Sequence, residues 1–110
     1  MINIRVIKAI LKLPPIASIE PTKDGGGMKE QGFDVLVSQY NVGFCKYKLG
    51  EKSADEWQFD IEKMLGVVVQ MYPDKVNNKR ACLTGLYNLA VETGDQDGAG
   101  ELKQLIDNTK

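Results

Sequence analysis

The chain has 110 residues, with 14 Lys and Arg against 15 Asp and Glu, a net charge of −1, 43% hydrophobic residues and no histidine. That length suits one domain with one modest core, the near-neutral balance offers no strong field to nucleic acid or an anionic membrane, and no apolar run reaches the length of a membrane span. The lack of histidine removes the commonest general base at neutral pH and the commonest metal ligand, so a tetrahedral zinc site is not expected from Cys45 and Cys82.

Residues 1–13 form an N-terminal helix or strand. Ile2, Ile4 and Val6 alternate as on a strand, whereas Val6, Ile7, Ile10 and Leu11 recur at helical spacing. The helical set favours a helix over 3–12; the strand or hairpin would make the chain α+β. Arg5 and Lys8 lie inside the apolar stretch rather than ahead of it, unlike a signal peptide, and a mature cytoplasmic chain is expected. Pro14-Pro15 stops either element. Residues 14–32 are rich in Pro, Gly and charge and read as a flexible loop ending near Gly25-Gly26-Gly27. Met28 follows where a phosphate-binding loop would carry Gly-Lys-Ser/Thr.

A helical domain is expected over 33–110. Phe33, Leu36, Tyr40, Phe44 and Tyr47 fall at spacings of three and four, one face of a helix over 33–48, although Phe33, Val35 and Val37 also alternate. Gly50 stands where a left-handed residue closes a helix. Ser53 is a good N-cap, and Glu56 three residues later completes a capping box. Trp57, Ile61, Met64, Leu65, Val68, Met71 and Tyr72 then form one continuous stripe, with Val67 and Val69 widening it, until Pro73 ends the helix. Residues 76–93 place Lys79, Leu83, Leu86 and Ala90 on one face, with Leu89 beside them and Gly94 as the stop. Asp95-Gln96-Asp97-Gly98 reads as a turn, and 99–108 as a last helix turning Leu102, Leu105 and Ile106 inward. Cys45 beside Phe44 and Cys82 beside Leu83 are expected to be buried free thiols.

Tyr40-Asn41-Val42-Gly43 and Tyr87-Asn88-Leu89-Ala90 each precede a Gly-acid turn, Gly50-Glu51 and Gly94-Asp95, and each turn precedes an amphipathic helix. In Gly43, Gly50, Ala54 or Ala99, and Pro73, this irregular pattern resembles a tetratricopeptide-like helical repeat over about two thirds of the chain. The resemblance implies antiparallel helix pairs, each unable to bury its stripe alone, stacked side by side as a small helix-hairpin bundle or short α-solenoid.

Other motifs lack the residues their chemistry needs. Asp95-Gln96-Asp97-Gly98 opens like a calcium loop, but Ala99 and Ile106 stand where the fifth and twelfth ligands belong. Leu36 to Leu49 admits a helix-turn-helix with Tyr40-Asn41-Val42 as the turn and Lys46 and Lys48 facing phosphate. Asp34, Glu51, Asp55 and Glu56 oppose that reading. The carboxylate pairs Asp55/Glu56 and Asp60/Glu62 diverge on a helix and cannot share a substrate. The expectation is a mainly α, non-catalytic interaction module or adaptor without metal or cofactor, binding another protein or a second copy of itself. Its expected partner surface includes Tyr40, Tyr47, Met71, Tyr72 and Tyr87. The alternative is a small phage- or plasmid-type regulator or inhibitor, binding nucleic acid or a nucleic-acid-binding protein through Lys46 and Lys48.

Overall fold

The computed structural model describes residues 2–15 and 25–109, with the backbone alone over 25–31. Among the described residues, five helices follow one another: α1 (Ile4–Leu11), α2 (Gly25–Lys48), α3 (Ala54–Met71), α4 (Val76–Glu92) and α5 (Gln96–Asn108). No strand occurs among the described residues, so the fold is all-α and the α+β alternative falls away.

In α1, the helical period prevails over the alternation. Asn3 caps the helix by accepting from the N–H groups of Arg5 and Val6. Ile7 is fully buried, with Ile4, Ile10 and Leu11 packed beside it on one face. The loop expected over 14–32 divides. Pro14 and Pro15 have no regular structure, the middle of the expected loop lies outside the described residues, and 25–32 are helical. Helix α2 thus starts at Gly25, ahead of the expected boundary at 33. Along it, the Phe33 ring meets Tyr72 edge-on at 5.2 Å and lies under the Lys75 ammonium at 4.9 Å. Once that turn is held by tertiary contact, extending the helix backward costs little per residue compared with nucleating it. The expected turn at Asp95–Gly98 is likewise mostly helix. Asp95 is the N-cap of α5, and its Oδ1 accepts from the Gly98 N–H at 3.1 Å.

The stops and starts of the two hairpins are closely alike. Gly50 and Gly94 take left-handed φ values of 80° and 81°. At the first, the Gly50 N–H donates to Tyr47 O and the Glu51 N–H to Lys46 O. At the second, the Gly94 N–H donates to Val91 O and the Asp95 N–H to Ala90 O. Both are the same paired closure of orphan carbonyls. Helix α3 opens on the capping box: the Glu56 N–H donates to Ser53 Oγ at 3.1 Å and the Ser53 N–H to Glu56 Oε1 at 3.2 Å. It ends at Tyr72, whose φ of −131° and ψ of 55° lie outside the α region that the following Pro73 disfavours.

Helix α3 is the hub, packing against α1, α2 and α4, while α5 covers α4 and touches α1. The core joins Ile7 of α1, Trp57, Ile61, Met64, Leu65 and Val69 of α3, Leu83, Leu86 and Ala90 of α4, and Leu102 of α5. Helix α2, the longest, supplies no side chain to this buried set among the described residues. It lies on the core through half-buried Leu36, Tyr40 and Tyr47. Of the two thiols, Cys82 is buried as expected, but Cys45 is exposed because its position on α2 turns it away from α3.

Candidate functional site

Exposed apolar residues, among them Val35, Val42 and Leu49, lie on and beside α2. Its inner face meets α3 through an aromatic ladder: Phe33 on Tyr72 at 5.2 Å, Tyr40 on Trp57 at 5.2 Å and Phe44 on Trp57 at 6.5 Å. The helices close tightly at Gly43, where a Cβ would stand 2.4 Å from the Trp57 ring. Since Phe33 meets the end of α3 and Phe44 its beginning, the two helices run antiparallel.

Helix α2 diverges from α3 on either side of that contact. One flank opens into a groove of about 620 Å³ with Trp57 and Met64 at its base, walled by Val35 and Val42 of α2 and Val67 of α3. The three valines are exposed. Lys46 and Asp34 stand on the α2 rim, Lys63 and the Lys52–Asp60 ion pair on the α3 rim. Phe59 is exposed on α3, and the Lys63 ammonium lies 5.5 Å from its ring centre. The opposite flank holds a smaller cavity of about 200 Å³, bounded by Tyr40, Val68, Asn78 and Cys82. An apolar trough with charges of both signs on its rims is suited to receiving an amphipathic helix.

The expected site residues do not gather there. Tyr72 is buried against Phe33, at 3% exposure. Tyr40 and Tyr87 are half-buried on the core, and the Tyr40 hydroxyl reaches into the space left by Gly85. Burial, and then the nearby Cys82 sulfur, raise the Tyr40 phenol pKa. Tyr47 donates its hydroxyl to Glu92 Oε2, and that bond is the main reason its pKa is pushed up to about 12. Met71 is half-buried at the end of α3. The structure brings Tyr40 to Trp57 and Tyr72 to Phe33, inside the molecule, and leaves Tyr47 at the α2–α4 seam.

Lys46 and Lys48 diverge. Lys46 faces the groove, whereas Lys48 donates to Glu92 Oε1 at 2.7 Å. The Lys48 ammonium, and then the Tyr47 hydroxyl, hold the Glu92 carboxyl below its ordinary range. Helix α2 also runs unbroken through Tyr40-Asn41-Val42, so the turn that a helix-turn-helix needs is absent. Among the described residues, no three His, Cys, Asp or Glu side chains come close enough to hold a metal ion, and no helix is long and apolar enough to cross a membrane.

Sequence reasoning missed that Val35, Val42, Leu49, Phe59 and Val67 are among the exposed apolar residues. A usable signal existed: Val35, Val42 and Leu49 recur every seven residues, a second stripe beside the one that packs on α3. No family model matches the chain, and no curated protein or solved structure matches it.

Proposed function

We propose that the chain is a non-catalytic helical interaction module whose working surface is α2 and the groove beside it. The observation that carries this reading is that α2 and the Leu49 just after it leave Val35, Val42 and Leu49 exposed, and that α2 adds, among the described residues, no side chain to the buried core. The remaining helices bury their stripes against one another in a shared core, and α1, α3 and α5 open on side-chain caps. An ordered helix with uncovered apolar surface on that scaffold has binding as its simplest use. The alike closures at Gly50 and Gly94 support a two-hairpin reading of the tetratricopeptide-like pattern, with α2–α3 and α4–α5 as the units.

Val67→Asp tests the reading, because Val67 forms the α3 wall of the groove and is exposed, so a carboxylate there costs the fold little. Tagged wild-type chain should retain a protein from native lysate, and the variant should lose it while keeping the wild-type melting curve. Equal retention by the two proteins would sink the groove as the binding surface. The regulator reading through Lys46 and Lys48 predicts instead a gel shift that weakens steeply with salt. It is the poorer fit, because Glu92 already engages Lys48 and Asp34 and Asp60 share the groove rim with Lys46.

A further inference from the structure

We propose that the smaller cavity, between α2, α3 and α4, is a binding site for a neutral, flat heteroaromatic molecule of one or two rings. The site lies on the flank of α2 away from the groove and does not rest on the groove reading. It exists because α2 and α4 both pack on α3 and reach each other through side chains. Tyr40 crosses to α4 beside Gly85, and Phe33 reaches the start of α4 under Lys75. These two rings stand seven residues apart on one face of α2, about 10 Å along its axis. Both line the cavity of about 200 Å³ that stays open between the helices. Its floor is preformed, because Met64, Val68 and Cys82 are held in the buried interior.

Size, charge and atom type choose the occupant. An apolar cavity of about 150 Å³ accepts benzene. This one therefore takes one ring or a fused pair, and it is too small for a helix, which is about 10 Å across. No charged side chain is among the described residues that line it, so an ionised ligand would lose water and gain no counter-charge. The Phe33 and Tyr40 rings, the Met64 thioether and the Cys82 thiol favour contact with another ring over an aliphatic chain. Asn41 of α2 and Asn78 of α4 supply the polar part of the wall, the first exposed and the second half-buried. A primary amide both donates and accepts. The pair suits a ring edge that carries an N–H beside an unprotonated ring nitrogen or a carbonyl.

Benzimidazole, neutral in mildly alkaline buffer, is the test ligand, with benzoate and indene for comparison. An NMR titration of the full chain, labelled at its methyl groups, reads site and affinity together. Benzimidazole should bind saturably with a dissociation constant of about 0.1 mM. It should shift the Leu36, Met64 and Val68 methyl signals and leave those of Val35, Val42 and Val67 in place. Benzoate should bind at least about tenfold more weakly, for want of a counter-charge. Ala81→Phe, at an exposed position in the wall, should fill the space and weaken benzimidazole by about tenfold or more, with the melting curve kept. Asn78→Leu should weaken benzimidazole by about tenfold and leave indene unchanged, since only benzimidazole has nitrogens for the amide. No saturable shift with benzimidazole, shifts confined to the three groove valines, or benzoate binding as tightly as benzimidazole would overturn the proposal. So would a folded Ala81→Phe variant that binds like the wild type, or an equal effect of Asn78→Leu on benzimidazole and indene.

Discussion

Single residues set how closely α2 and α3 approach. Gly43 has the Trp57 ring where a side chain would go, with 2.4 Å left for a Cβ. Gly43→Ala therefore pushes the indole or the helix aside and should cost about 1–3 kcal/mol, with a change in Trp57 emission. Gly100 also lies in a helix, but a methyl group there would meet nothing within 4 Å, so Gly100→Ala should stabilise by about 0.5–1 kcal/mol. Denaturant melts of the two variants should move in opposite directions, and equal shifts would show that helix propensity alone governs both. The thiols make a second residue-scale contrast. Cys45 is exposed, whereas Cys82 is buried, and that burial pushes its thiol pKa up to about 12. An aromatic disulfide reagent should label one thiol per native chain at pH 8 and the second only on unfolding. From sequence the two cysteines look the same, each beside an aromatic or aliphatic neighbour. The side on which α2 packs separates them.

At the scale of elements, α3 is the most legible, because its cap, stripe and stop agree. Ser53 and Glu56 form the box that their spacing implies, and Trp57, Ile61, Leu65 and Val68 are buried on one face. Leu65→Ala should cost about 2–5 kcal/mol through the cavity it leaves in the core. Ser53→Ala should cost about 0.5–2 kcal/mol through the lost cap. Guanidinium melts check the order, and equal losses would contradict the packing of Leu65. Helix α5 adds a pH dependence. The Gly98 N–H, and then the Ile2 N–H at 2.9 Å, donate to Asp95 and hold its pKa below the ordinary 3.8. A carboxylate with a lowered folded pKa contributes stability that is present above its unfolded value and lost as pH falls through the folded one. Stability should therefore decline below pH 3.8 in part through Asp95, and Asp95→Asn should flatten that limb in acid melts. The beginning of α5 departs from its expected turn because Asp-Gln-Asp-Gly is good turn chemistry. Asp95 uses the same side-chain chemistry to cap a helix, and the choice rests on where the next apolar face docks.

For the whole molecule, the distribution of burial sets the order of opening. Helices α3 and α4 carry most of the core, while α2 rests on its aromatic ladder and on the Tyr47–Glu92 and Lys48–Glu92 bonds to the end of α4. Those bonds are exposed, so Glu92→Gln should cost no more than about 1 kcal/mol in global stability. Its effect should be local. Native-state hydrogen exchange should show α2 amides exchanging ahead of those in α3 and α4, and Glu92→Gln should quicken the C-terminal turns of α2 further. Protection of α2 equal to that of α3 would show that the helix belongs to the same cooperative unit as the core.

Sequence alone determined the parts of this protein that depend on near neighbours along the chain. Helix period, the Ser53 cap, the glycine stops and the Pro73 break all act within one or two turns, so Ala54–Met71 and Val76–Glu92 lie close to where residue spacing puts them. Tertiary structure alone decided which face of α2 is covered. That helix has two apolar stripes, the larger of which spacing alone reveals, but whether the core or a partner covers it is not a local matter: Phe33, Leu36, Tyr40 and Tyr47 meet the core, so Val35, Val42 and the following Leu49 are left facing outward. For the same reason Tyr40 and Tyr72, expected at a partner surface, turn inward. An aromatic ring can be equally well desolvated by a neighbouring helix or by a partner, and only the position of α3 determines which one covers it.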